Sequence, residues 1–124
     1  MRKPIYKCTE FKDLKDMLKK SGEKFGDRPA YIYKTDEPGK FNEITHKEFR
    51  DDINNFGTAL INLGLKGKRI AVISENRYEW GVAYLATATG VGIIVPLDKA
   101  LPDNEIESLM IRSEIEAIVY SSKY

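Results

Sequence analysis

The sequence predicts an α/β fold: a mostly parallel sheet with flanking helices, preceded by a helix and a short β-hairpin. Three apolar runs rich in Val and Ile, at residues 69–74, 91–96 and 116–121, carry this prediction because helical segments separate them. Strands that alternate with helices are joined by crossovers, which makes the strands parallel. A chain of 124 residues has the length of one domain, so residues 1–124 are interpreted as a single α/β region.

The first third of the chain predicts a helix followed by the hairpin. The helix is expected over residues 10–20, with Phe11 among the apolar side chains of one face. Strands are expected over residues 30–34 and 40–44, because the segment between them is rich in residues that favour turns, including Asp, Pro and Gly.

The second helix has the clearest local signals. Thr45 and Glu48 have the spacing of a capping box, in which each side chain accepts a hydrogen bond from the backbone N–H of the other residue. Gly64 supplies a left-handed stop after the helix. The apolar residues between these signals recur every three or four positions and form one stripe: Phe49, Ile53, Phe56, Leu60 and Leu63.

Two further helices are expected between the strands. Asn76 is expected to cap a helix over residues 77–89, which is apolar nearly all round. Pro102 fits the first turn of the last helix. Four residues of that helix share a face: Ile106, Leu109, Met110 and Ser113.

The three predicted strands are continuous apolar runs, which is typical of strands covered on both faces. The last run, at residues 116–121, has no helix after it to supply such cover. A helix that is apolar all round is typical of the interior of a larger protein. We therefore expect the chain to be the front part of a larger protein, and the uncovered sheet to favour self-association or a partner.

Composition excludes several classes of function. Twenty Lys and Arg residues nearly balance 19 Asp and Glu residues, which argues against nucleic-acid binding. Cys8 and His46 are the single residues of their types, so the sequence has no internal disulfide and no side-chain set for zinc or a Cys–His nucleophile. The basic N-terminus lacks the apolar stretch of a signal peptide, and no run is long enough to span a membrane. These features predict a cytoplasmic protein.

Ligands of open α/β sheets bind at the carboxyl ends of the strands. In this chain those ends carry residues 74–76 and 96–99, which include Glu75 and Asp98. Structural roles are favoured over ligand binding for these residues. In that interpretation Asn76 caps a helix, and the Asp98 side chain forms hydrogen bonds with nearby backbone.

Other candidate residues also have a plain structural explanation. Trp80 lies near the same strand ends, where burial is favoured over stacking on a ligand, and His46 is expected at the surface. Asp51 and Asp52 are adjacent on a helix and are expected to be solvated. The glycines of residues 90–92 lie after a helix and before a strand, the reverse of the dinucleotide-binding order. No residue is assigned a catalytic, cofactor-binding or metal-binding role.

Several blocks, taken in order, resemble the early part of the AMP-forming acyl-CoA synthetases, most of all the long-chain fatty-acid type. Residues 62–80 read NLGLKGKRIAVISENRYEW, and residues 90–98 read GVGIIVPLD. Residues 26–31 (GDRPAY) and 117–121 (AIVYS) match the same family in order and spacing. Tyr78 stands where the family often has proline, a difference that affects packing rather than mechanism.

The resemblance implies a full-length parent enzyme that is an acid–thiol ligase of the adenylate-forming superfamily. Such an enzyme uses ATP and Mg²⁺ to convert a fatty acid into an acyl-adenylate, with release of pyrophosphate, and then passes the acyl group to the thiol of coenzyme A. The resemblance also implies that residues 1–124 are the N-terminal portion of this enzyme, before its phosphate-binding loop. The family's Ser/Thr/Gly-rich loop, Thr-Glu pair, ribose-binding Asp and mobile lysine have no counterpart in this sequence. The isolated chain is therefore expected to hold no cofactor and to be inactive.

Two alternatives stay open beside the enzyme interpretation. One is a freestanding α/β module that binds a phosphate-bearing ligand at the strand ends. The other is an interaction protein that uses the uncovered sheet for self-association or for a partner. The acyl chain length of the implied substrate is also left open.

Overall fold

A computed structural model describes Tyr6 and residues 8–124, and this part of the chain forms four α-helices, one π turn and five strands. The elements in chain order are α1 (Leu14–Phe25), β1 (Pro29–Lys34), β2 (Phe41–Thr45), α2 (His46–Asn62), β3 (Arg69–Ile73), α3 (Tyr78–Ala86), the π turn (Thr87–Val91), β4 (Ile93–Pro96), α4 (Asp103–Arg112) and β5 (Ala117–Tyr120). The predicted fold class is confirmed.

The parallel sheet has three strands in the order β4-β3-β5, so β3 is its central strand. Ile70 of β3 lies in register with Ile94 of β4 and Ala117 of β5. Strands β1 and β2 pair antiparallel in a separate sheet, which confirms the predicted hairpin. The sheet order places the carboxyl ends of β3 and β5 side by side.

The central strand β3 is covered on both faces, as predicted. Ile70 packs with Leu60 of α2 and Val91 of the π turn. Ala71 and Ile73 point to the opposite face, where they pack with Leu97 and with apolar side chains of α4. Because side chains alternate between the faces of a strand, each face of β3 meets a different helical layer.

The edge strands are less covered than β3, which agrees with the expectation that the last run lacks cover and is a departure from the expected cover of β4. Ile93 of β4 and Ile118 and Tyr120 of β5 are exposed. Ile118 lies in register with Ala71, so it points to the same face as α4. That helix packs against β3 and leaves part of this face open on either side of the central strand.

A second apolar layer joins the hairpin to α1, α2 and α3. Its buried residues are Phe49, Ile53, Val82 and Ala86, with Leu18, Tyr31 and Tyr78 packed against them. The rings of Tyr31 and Phe49 meet edge to face with centroids 4.9 Å apart. The predicted stripe of α2 therefore reaches the core except at Leu63, which caps the helix and is exposed.

The ends of α2 follow the sequence prediction. The Thr45 hydroxyl accepts a hydrogen bond from the Glu48 N–H at 3.2 Å, and the Glu48 carboxylate accepts one from the Thr45 N–H at 2.8 Å. Gly64 follows the helix with φ +79°, a left-handed conformation that favours glycine. The predicted capping box and the predicted helix stop are both confirmed.

The predicted bounds of the first helix, residues 10–20, are wrong at both ends. The helix starts after Asp13, because the Asp13 carboxylate accepts a hydrogen bond from the Asp16 N–H at 2.7 Å and caps it. Phe11 therefore lies before the helix and is exposed. The helix continues to Phe25.

The predicted helix over residues 77–89 is shorter in the structure. It ends at Ala86 and passes into the π turn, in which the Thr87 C=O accepts a hydrogen bond from the Gly92 N–H at 3.1 Å. Val91 belongs to this turn, so β4 starts at Ile93 rather than at residue 91 as predicted. Pro102 is the N-cap of α4 rather than a residue of its first turn.

None of the helices in the described part of the chain is both long enough and apolar enough to cross a membrane.

Candidate functional site

The carboxyl ends of β3 and β5 bring together a cluster of polar side chains. Ser74, Glu75 and Arg77 follow β3, and Ser121 and Lys123 follow β5. These strands are parallel neighbours, so both chains leave the sheet at the same edge. We call this group the edge cluster.

Glu75 is the acidic residue at the centre of the edge cluster. Its Oε1 lies 3.5 Å from Nζ of Lys123 and 3.6 Å from Nη1 of Arg77. The neighbouring Ser121 hydroxyl, followed by the backbone amide of Glu75 itself and by the charge of Lys123, holds the pKa of Glu75 below its usual range. Glu75 is therefore ionised at neutral pH and links the ends of β3 and β5.

Arg77 connects the edge cluster to the start of α3. Its guanidinium donates to both carboxylate oxygens of Glu79, with Nε–Oε2 at 2.6 Å and Nη2–Oε1 at 2.9 Å. This bidentate hydrogen bond is the main reason that the pKa of Glu79 lies below its usual range. Arg77 also occupies the N-cap position of α3 without a side-chain cap hydrogen bond. The prediction that Asn76 caps this helix is wrong, because the helix begins one residue later than the cap would require.

The two hydroxyl groups of the edge cluster are held by local backbone. Ser74 donates to the C=O of Glu75 at 2.7 Å, and Ser121 accepts from the N–H of Lys123 at 3.4 Å. His46 begins α2 and packs its ring on Phe25, with centroids 5.4 Å apart. The cluster therefore lacks the histidine base that activates a serine nucleophile, and its geometry is that of an ion-pair network.

Asp98, the other predicted candidate at a strand end, does not join the edge cluster. Its carboxylate accepts a hydrogen bond from the Ala100 N–H at 2.9 Å, within its own loop after β4. The described residues contain no ion pair or hydrogen bond between Asp98 and Glu75. The expectation that Asp98 bonds nearby backbone is confirmed.

An aromatic groove of about 610 Å³ lies beside the edge cluster, between the hairpin and α3. Trp80 and Tyr84 stack along it with centroids 5.1 Å apart, and both are half-buried. Tyr31 and Tyr33 form the hairpin side. Trp80 is thus packed against the protein's own aromatic side chains, although its position leaves part of the ring in the groove.

Tyr78 ties this groove to α2. Its hydroxyl donates to Asp52 Oδ2 at 2.8 Å, and its ring packs against Tyr31 and Phe49. Burial, followed by the hydrogen bond to Asp52, raises the pKa of Tyr78. Asp52 is exposed, as the sequence predicts, and it also accepts this hydrogen bond. Asp51 is half-buried and pairs with Arg50 at 2.8 Å.

The glycines of residues 90–92 have a packing role in the structure. A Cβ on Gly92 would overlap the backbone C=O of Lys68, so this glycine allows the π turn to pack against the start of β3 rather than forming a phosphate cradle. Within the described part of the chain, no three His, Cys, Asp or Glu side chains are grouped so that they could hold a metal ion.

Sequence reasoning located Glu75 but missed its partners. The sequence predicts Arg77 as a residue of the helix over 77–89, and Lys123 lies outside every predicted element. The signal was present in the strand assignment: β3 and β5 both end in serine-containing polar segments, and parallel neighbours bring their carboxyl ends together. The hydrogen bond from Tyr78 to Asp52 joins residues 26 positions apart, and no local pattern marks it.

Comparison with known proteins identifies relatives across most of the chain. The family model described as AMP-binding enzyme matches residues 18–124. Fatty acyl-CoA synthetase A of Dictyostelium discoideum is 36% identical over 86 residues, which are 68% of this chain and 13% of that protein. The mitochondrial medium-chain acyl-CoA ligase ACSF2 of Danio rerio is 30% identical over 108 residues, which are 86% of this chain and 17% of that protein. The chain thus spans less than a fifth of the length of these relatives.

Solved structures share the fold. The N-terminal subdomain of Klebsiella oxytoca NpsA has a TM-score of 0.77 at 20% identity, over 89% of this chain and 28% of that chain. The inhibitor-bound N-terminal domain of FACL13 from Mycobacterium tuberculosis has a TM-score of 0.78 at 22% identity, over 90% of this chain and 27% of that chain.

Proposed function

This chain belongs to the AMP-binding enzyme family, and we propose that it is the N-terminal scaffold portion of an AMP-forming acid–thiol ligase that acts on long-chain fatty acids. The observation that carries the proposal is the family match over residues 18–124 on a fold shared with N-terminal adenylate-forming subdomains. Relatives named as a fatty acyl-CoA synthetase and as a medium-chain acyl-CoA ligase support an acyl substrate. The resemblance of residues 62–80 to the long-chain type favours the longer acids.

In this proposal the complete enzyme uses ATP, Mg²⁺ and coenzyme A, and these groups bind outside the described residues. The role of this chain is to hold the sheet and its helical layers. The central strand β3 fixes the position of α2 on one face and of α4 on the other. Glu75 then ties the carboxyl ends of β3 and β5, which is the sheet edge that faces a ligand in open α/β folds.

Residues 1–124 on their own are proposed to be inactive. Acyl-adenylate formation depends on positioned charge around the phosphates, and the sequence has neither the phosphate loop nor the mobile lysine of the family. The purified chain should give no fatty-acid-dependent exchange of pyrophosphate into ATP, with a complete acyl-CoA ligase as the positive control. Exchange by the pure chain above a no-enzyme blank would overturn this part of the proposal.

The decisive experiment reads the source gene through and beyond the codon for Tyr124. An open frame that continues into a Ser/Thr/Gly-rich loop followed by lysine supports the ligase. A stop codon directly after Tyr124 contradicts an enzymatic role for this gene product. The product of a continuing frame is then assayed for acyl-CoA formation with octanoate and palmitate, and a higher kcat/KM for octanoate would contradict the long-chain assignment.

We also propose that the protein is cytoplasmic. The support is the single cysteine, Cys8, which is exposed and compatible with a reducing compartment. Five relatives, all ACSF2 ligases of vertebrates, are named as mitochondrial. Cell fractionation with cytosolic and mitochondrial markers tests the proposal, and enrichment in the mitochondrial fraction would overturn it.

A further inference from the structure

We draw no further inference here: the strongest candidate, the aromatic groove that Tyr31, Tyr33, Trp80 and Tyr84 line between the β1–β2 hairpin and α3, is an open apolar surface in a chain that spans less than a fifth of the length of its relatives, and nothing in the structure shows what covers it.

Discussion

Strands β3 and β5 are paired neighbours of similar composition, yet they differ in burial. Ile70 of β3 is 0% exposed, whereas Ile118, in register with the adjacent Ala71, keeps more than a third of its surface in contact with solvent. The cause is position rather than sequence. Strand β3 has a strand on each side and a helical layer on each face, whereas β5 has one strand neighbour and an incomplete layer on the α4 face.

This difference shows what an apolar strand pattern can indicate. A continuous apolar run indicates that a strand is suited to cover on both faces, but not which residues provide the cover. For β3 the cover comes from α2, the π turn and α4. For β5 the cover is only partial, and Ile118 and Tyr120 stay exposed.

The largest expected effect is on the central strand. Ile70→Ala removes a fully buried side chain between α2 and the π turn, and we expect a loss of about 4 kcal/mol in the free energy of unfolding. Ile118→Ala removes the same atoms from the partly exposed edge, and the expected loss is below about 1.5 kcal/mol. Urea denaturation at low protein concentration measures both values. Equal losses would mean that the two strands are equally covered.

The next effect concerns the backbone contact that holds the amino end of β3. Gly92→Ala forces a Cβ into the Lys68 C=O, and the π turn or β3 has to shift. We expect a loss of about 2 to 3 kcal/mol in the free energy of unfolding. Gly57→Ala is the control, since its added Cβ on α2 makes only ordinary contacts, 3.5 Å from Val91 and 3.8 Å from Ala86. If both variants unfold at the same urea concentration, the close approach to Lys68 does not constrain the fold.

The sequence predicts the parts of this fold that depend on neighbouring residues. The capping box of Thr45 and Glu48 and the left-handed Gly64 are local, and both are found. The prediction of where α1 starts is wrong because several residues could cap this helix. The hydrogen bond from the Asp16 N–H to the Asp13 carboxylate makes Asp13 the cap. The π turn was not predictable, because it depends on how closely Gly92 approaches Lys68 in the folded chain.

The candidate site was predictable only in outline, for the same reason. Strand ends pointed to Glu75, since parallel strands place their carboxyl ends at one edge. The order of the strands was not predictable, so the pairing of Glu75 with Lys123 and the separation of Asp98 from both were not predictable either. The hydrogen bond from Tyr78 to Asp52 depends on how α3 packs on α2, which no residue spacing shows.

A smaller effect is expected on the covered side of β3, where Tyr78 joins α3 to α2. Tyr78→Phe removes the hydrogen bond to Asp52, and we expect a loss of about 1.5 kcal/mol in the free energy of unfolding at neutral pH. Because the pKa of Tyr78 is raised in the folded state, its contribution is present below about pH 10 and is lost as the pH rises above the unfolded pKa. Urea denaturation at neutral pH and at about pH 10.5 should show a steeper alkaline loss for the wild type than for the variant. Parallel pH profiles would contradict this assignment.

The smallest expected effect tests whether the edge cluster holds β5 to β3. Glu75→Gln removes the charge between Lys123 and Arg77, so the amides of β5 should exchange hydrogen faster while those of β3 keep their protection. Glu79→Gln is the matched control, because Glu79 pairs with Arg77 on α3 and has no contact with Lys123. The pKa of Glu75 lies below its usual range in the folded state, mainly because of the Ser121 hydroxyl, so its stabilisation is present above the unfolded pKa and is lost as the pH falls through the lowered value. The exchange rates of the β5 amides should therefore differ between the wild type and Glu75→Gln at neutral pH and become equal in acid. A difference that persists unchanged in acid would mean that Glu75 acts through packing rather than charge.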